Sequence, residues 1–255
     1  MTMSFSAEAL RGRYGHLDGG ELLAALLGDG GPLGHGRTAL VSSFGTESVV
    51  LLHMAAQVDP TIPVIFLDTG KHFPATLAYR DRLIRLLGLK DVRAARPDAA
   101  VLARHDADGN LPSRDPDTCC EIRKTDPLAL ALGGFSAWIT GRKRFQGGLR
   151  QRLDTIEEEP GTGRVKLNPL ATWSPERVEA YRLLHDLPAH PLVEKGYRSV
   201  GCEPCTLPVK AGESARAGRW FGLDKTECGI HLPAFTAAAA SATANASTTV
   251  AGDAR

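Results

Sequence analysis

The alternation between residues 38 and 87 constrains this chain most. A short apolar run at 39–41 leads through a Ser/Gly turn to a helical stretch at 48–58. A β-branched run at 62–67 and a second helical stretch at 75–87 follow. Strand, turn, helix, strand, helix cannot close into a hairpin meander. It requires crossover connections, and so a parallel sheet flanked by helices. Further apolar runs at 135–140 and 164–170 extend the series, the second feeding a helix that begins at Ser174-Pro175-Glu176. A serine cap and a proline at the first helical position both suit the unpaired amides of a helix start.

At 255 residues the chain has room for one large domain or two small ones. Thirty Lys and Arg against 29 Asp and Glu leave a net charge of +1, without the basic excess of a chain that lives on nucleic-acid phosphates. No run nears the ~18 apolar residues of a membrane helix, and residues 1–20 lack a secretory pattern. The expectation is a cytoplasmic protein with no nucleic-acid or membrane partner; a homo-oligomer is compatible with the composition. Residues 1–37 read as a peripheral helix and a Gly/Pro linker, 38–200 as the α/β domain and 201–233 as a C-terminal segment rich in Pro and Gly. The Ala/Ser/Thr tract 234–255 reads as a disordered tail.

Five cysteines in a reducing compartment point to metal binding or thiol chemistry rather than disulfides. Four of them form two pairs, adjacent Cys119-Cys120 and Cys202-Glu-Pro-Cys205. Adjacent side chains on a helical turn diverge by about 100° and reach two different metals of one cluster. Asp117 or Thr118 could cap such a turn. Zinc sites usually space their pairs by two to four residues, so an iron-sulfur cluster suits the pattern better, with zinc or unrelated buried thiols as alternatives. Ser42-Ser43-Phe44-Gly45-Thr46-Glu47-Ser48 follows a strand and opens a helix, where free amides and the helix dipole favour an anion. It lacks the Gly-Lys-Ser/Thr ending of a Walker loop. Leu67-Asp68-Thr69-Gly70 ends the next strand on the same sheet edge, where open α/β sheets bind ligands. Arg123-Lys124, Arg142-Lys143-Arg144, Arg216 and Arg219 could meet a multiply charged anion. Cys228, between Lys225 and His231, is the spare thiol, placed to act as a nucleophile.

Ser-Ser-Phe-Gly at 42–45, Leu-Asp-Thr-Gly at 67–70, Cys-Cys-x-x-Arg-Lys at 119–124, Gly-Cys-x-Pro-Cys-Thr at 201–206 and Glu-Cys-Gly-x-His at 227–231 together resemble the assimilatory adenylylsulfate and phosphoadenylylsulfate reductases. The resemblance implies an adenine nucleotide α-hydrolase-like (PP-loop) fold, a five- or six-stranded, mostly parallel sheet, with a mobile cysteine-bearing C-terminal segment. It implies one 4Fe-4S cluster per chain on Cys119, Cys120, Cys202 and Cys205. It also implies thioredoxin- or glutaredoxin-dependent reduction of adenylylsulfate to sulfite and AMP, through an S-sulfocysteine on Cys228, as in sulfate assimilation and cysteine biosynthesis. Ser42, Ser43, Gly45 and Thr69 would line the nucleotide pocket, and Lys124, Arg144, Arg216, Arg219 and His231 would serve the sulfate. Two departures stand out. The 42–48 loop is closer to the phosphoadenylylsulfate reductase form, and the 142–147 loop differs from the usual Arg-Arg-Asp-Gln-Ser type. Alternatives are action on the 3'-phosphorylated substrate or on both, an iron-sulfur PP-loop ligase or tRNA thiolase, and a non-enzymatic redox sensor.

Overall fold

The computed structural model describes residues 6–34, 36–223 and 225–231. The tail expected to be disordered lies outside them. Among the described residues a six-stranded sheet runs in the order β3-β2-β1-β4-β6-β5, built from β1 (Thr38–Ser42), β2 (Val64–Leu67), β3 (Val92–Ala95), β4 (Ala137–Ile139), β5 (Ile156–Glu158) and β6 (Val165–Leu167). All neighbours are parallel except β5, which pairs antiparallel with β6 at the edge. This is the mostly parallel, helix-flanked sheet the resemblance implies.

The inner strands β1, β2, β4 and β6 bury both faces, and the two-residue period of the pleat sorts their side chains. Leu40, Val64, Phe66, Ala137, Ile139, Val165 and Leu167 turn to one side. They meet α1 (Ala7–Tyr14), α2 (Gly19–Leu27), α3 (Ser48–Val58), α4 (Pro74–Leu87) and α9 (Pro175–Leu184). Ala39, Ile65, Leu67 and Trp138 turn to the other side, against Leu128, Ala129, Leu132 and Ile230. On that side the chain runs through α5 (Ala99–His105), α6 (Leu111–Arg114), α7 (Pro116–Cys120), a π-turn (Glu121–Thr125) and α8 (Asp126–Ala131). No helix among the described residues is long and apolar enough to cross a membrane.

The N-terminal segment corrects its reading as peripheral. It contains two helices, and Leu22, Leu23 and Leu26 of α2 are fully buried in the main core. Helix α2 packs on α3, and α1 on β5. The leucines of α2 form an apolar face too broad to leave in water. The strand order places the site. The chain proceeds from β1 outward to β2 and β3, then returns past β1 to β4. A crevice therefore opens above the carboxyl ends of β1 and β4, the switch point of an open α/β sheet.

Candidate active site

The loop from Ser42 into α3 forms one wall. Phe44 adopts a left-handed backbone (φ 49°), unusual for a side chain of its size, and is fully buried edge-on against Phe66 with centroids 5.6 Å apart. Its amide donates to Ser42 Oγ at 3.1 Å. Anchoring Phe44 this way leaves Ser42, Ser43 and Gly45 on the cleft side, where all three line it. Ser48 Oγ donates to the Gly45 carbonyl at 2.7 Å, closing the turn that leads into α3, whose first amides have no partner within the helix. Glu47 Oε2 accepts from Lys143 Nζ at 2.9 Å and from Gln146 Nε2 at 3.1 Å. The cleft encloses about 210 Å³.

The cysteines form the opposite wall. Asp115 caps α7, accepting from the amides of Asp117 and Thr118, and Pro116 follows as the first helical residue. The cap thus falls two or three residues before the position expected from the sequence. The π-turn that follows widens the helix at Glu121–Thr125, an irregularity concentrated at functional sites. It directs Lys124 into the cleft, while the buried Arg123 turns away to donate to the Thr69 carbonyl at 2.7 Å and to pair with Asp106. Cys202 forms an isolated antiparallel bridge with His72, and its sulfur lies 3.3 Å from Thr69 Oγ1. Cys205 sits one short turn on. All five thiols are free. Burial pushes the Cys119 thiol up to about 11, with the nearby Cys202 and Cys205 adding to the rise. Among the described residues no three His, Cys, Asp or Glu side chains form a cage for a single ion. The donor set is four thiols held by one helix end and one turn.

Cys228 lies against Cys120 at the junction of the two walls. Hydrogen bonding with Cys120 and the Lys124 ammonium hold its thiol well below the usual range, against the cost of burial. Burial works against the Lys124 charge, but Cys228, Cys202 and Cys120 outweigh it and raise Lys124. Arg219 is half-buried, its guanidinium 4.5 Å from the Trp220 ring centroid, and its Nε is buried with no hydrogen-bond partner among the described residues. Arg216 donates to the Thr226 carbonyl at 3.0 Å, and burial lowers it to about 10. His231 stacks on Trp138 at 6.0 Å, and its buried Nδ1 has no hydrogen-bond partner among the described residues. Burial, then Lys166, Arg142, Arg150 and Arg216, hold the His231 imidazole well below its ordinary range, which favours the neutral ring. It lines the cleft as a neutral imidazole.

Of the expected substrate residues, Ser42, Ser43, Gly45, Lys124, Arg216, Arg219 and His231 line one cleft together with Cys202 and Cys228. Two do not. Thr69 is fully buried behind Cys202. Arg144 points away, its Nε donating to the Leu153 carbonyl at 2.7 Å with Asp154 beside it. The register of the loop decides this, because Lys143 takes the inward position with only 3% of its side chain exposed. Sequence reasoning missed Arg150 and gave Glu227 no task of its own. Arg150 grips Glu227 through Nε at 2.5 Å and a terminal nitrogen at 2.7 Å. The partners are 77 residues apart, so no local spacing announces the pair.

Residues 37–208 match the model of the phosphoadenosine phosphosulfate reductase domain. The chain belongs to this family. It is 49% identical over 89% of its length to the adenosine 5'-phosphosulfate reductase of Mesorhizobium japonicum, covering 87% of that protein. It is 48% identical over 89% of its length to the enzyme of the same name from Chelativorans, covering 91% of it. Among solved structures, the phosphoadenylyl-sulfate reductase of Candida auris in its phosphate complex superposes with a TM-score of 0.67 at 25% identity, over 80% of this chain and 99% of that one. The fold is thus the nucleotide-binding PP-loop type that the motifs imply.

Proposed function

We propose that the protein is a cytoplasmic, thioredoxin- or glutaredoxin-dependent adenylylsulfate reductase of sulfate assimilation, releasing sulfite and AMP. One observation carries this reading: Cys228 and the cations Lys124, Arg216 and Arg219 line a single cleft with the nucleotide loop. The names of the Mesorhizobium and Chelativorans relatives support adenylylsulfate as substrate. The Cys228 thiolate attacks the sulfate sulfur in line. A new S–S bond forms, the bond from sulfur to the bridging oxygen breaks, and AMP departs with the electron pair. One thiolate of a dithiol partner then attacks the Cys228 sulfur and sulfite leaves with the pair from the old S–S bond. The partner's second thiol resolves the mixed disulfide and restores Cys228.

An anion must attack an anion, so fixed positive charge at the transferring group lowers the barrier. Lys124, Arg216 and Arg219 supply it, and the neutral His231 adds a hydrogen-bonding group without altering the charge. Ser42, Ser43 and Gly45, with the first amides of α3, take the nucleotide.

The four thiols of Cys119, Cys120, Cys202 and Cys205 suit a 4Fe-4S cluster, an all-cysteine donor set held by one helix end and one turn. When bound, the cluster would supply an organising and electrostatic centre beside the site. With Cys120 engaged as a ligand, Lys124 is the group that holds the Cys228 thiolate.

The test is sulfite release by anaerobically purified protein with thioredoxin and its reductant, with iron and sulfide assayed on the same sample. The expected result is a strong preference for adenylylsulfate over its 3'-phosphorylated form, with about four irons per chain. Cys228→Ser should abolish sulfite and leave the iron content unchanged. Turnover of neither substrate would overturn the reading in favour of a PP-loop ligase. Action on the 3'-phosphorylated substrate is the second reading, and the 42–48 loop favours it. Glu47, the acidic residue of that loop, is already paired with Lys143 at 2.9 Å, which weakens its repulsion of an extra phosphate. Equal use of both substrates would establish that reading.

A further inference from the structure

The cleft has a nucleotide end and a thiol end, and one line of hydrogen bonds joins them. At the nucleotide end, Glu47 sits at the start of α3 and its Oε2 accepts from Gln146 Nε2 at 3.1 Å. The other end of the same amide, Gln146 Oε1, accepts from the Lys143 backbone N–H at 3.2 Å and from the Arg150 guanidinium. Arg150 then holds both oxygens of Glu227, at 2.5 and 2.7 Å, and Glu227 Oε1 accepts the backbone N–H of Cys228 at 2.9 Å. Arg150 and Glu227 are buried, with 11% and 7% of their side chains exposed, so water competes little for these bonds.

The amide of Gln146 is the informative link. It donates at one end and accepts at the other, so it satisfies a carboxylate and a guanidinium at once. Rotating it to follow Glu47 removes the acceptor from Arg150. Lys143 makes Glu47 sensitive to a ligand, since its ammonium is shared between Glu47 Oε2 and the Gly141 carbonyl, both at 2.9 Å. A phosphate arriving at the start of α3 competes with Glu47 for that ammonium. Between Gln146 and Arg150 stand Gly147 and Gly148, both with left-handed φ, 76° and 60°. The backbone there moves more freely than it would with side chains in place.

We infer that Gln146 and Arg150 are positioning residues that form a relay, Glu47–Gln146–Arg150–Glu227, by which occupancy of the nucleotide end sets the placement of Cys228. The inference rests on the proposed reading of the cleft as a nucleotide site with Cys228 as nucleophile. Neither residue touches the reacting atoms. Their role is to present the thiol only when a nucleotide is there to meet it.

The test measures alkylation of Cys228 by iodoacetamide at fixed pH, in anaerobic, fully assembled protein, read on the Cys228 peptide by mass spectrometry. Each protein is measured with and without saturating AMP, and AMP binding is measured separately by calorimetry. In the wild type AMP should change the alkylation rate about fivefold or more. Gln146→Leu should bind AMP yet bring that ratio close to one. Gln146→Glu keeps the acceptor for Arg150 and loses the donor to Glu47, and should do the same. Arg150→Lys keeps the charge without the fork and guards against misfolding of the Gln146 variants. A wild type that binds AMP with no change at Cys228 overturns the relay, as does a Gln146 variant that keeps the wild-type ratio. A wild type that binds no AMP overturns the underlying nucleotide reading instead.

Discussion

Lys124 illustrates how one side chain acquires a task from its neighbours. Its ammonium is buried, which disfavours charge, yet three sulfurs around it hold the proton on. In the proposed reaction it would neutralise both the attacking thiolate and the incoming sulfate. Lys124→Met should lower the rate of sulfite release by about 100-fold or more, the usual cost of losing one preorganised donor at a developing charge. AMP affinity, measured by calorimetry, should change little, because the nucleotide end is built from the 42–48 loop. A variant with near-normal turnover would remove Lys124 from the reaction. Its placement was half legible. The spacing after Cys119-Cys120 puts it near them, whereas the π-turn that swings it into the cleft has no signature in residue types.

At the level of the element, the turn carrying Cys202 shows why a glycine stands at 201. A Cβ there would run into the guanidinium of Arg219, which lies close to that backbone and 4.5 Å from the Trp220 ring centroid. Gly201→Ala should displace Arg219 and weaken adenylylsulfate binding by about tenfold, on the scale of one charged hydrogen bond. Its thermal midpoint should stay close to wild type, since the residue displaced serves the ligand. A large drop in the midpoint with unchanged KM would mean that Arg219 is structural. The elements themselves were largely legible. Helix α3 and the Ser174 cap of α9, whose Oγ accepts from the Arg177 amide at 3.2 Å, fall where periodicity and capping place them. Strand β3 and helices α5, α6 and α8 were not read, and α7 only as a capped turn at the cysteine pair. Arg93 and Ala94 of β3 are exposed, and α6 and α7 have four and five residues, so neither hydrophobic period has room to emerge.

Across the whole molecule, His190 ties the segment after α9 to α4. Its Nδ1 accepts the Leu192 N–H at 3.2 Å, so the proton sits on Nε2, which donates to Thr76 Oγ1 at 3.1 Å. Burial pushes this histidine down to about 4 from its ordinary 6.5. The unfolded chain therefore binds the proton more readily than the folded one between those values. The contribution is complete above pH 6.5 and is lost as the pH falls towards 4, on the order of 3 kcal/mol in total. Urea midpoints measured at pH 7.5, 5.5 and 4.5 should fall in the wild type and fall less steeply in His190→Gln. Parallel slopes would show that other groups govern acid unfolding. By itself the sequence determined the parallel α/β class, the two cysteine pairs, the Ser/Gly loop between strand and helix and the spare thiol, because each is set by local period, local spacing or local turn chemistry. Only the tertiary structure decided that α2 belongs to the core, that Lys143 rather than Arg144 faces the cleft, that His231 is neutral, and that Arg150 reaches Glu227. Those outcomes depend on burial and on charges brought together from distant parts of the chain, and neither is a property of any short stretch of residues.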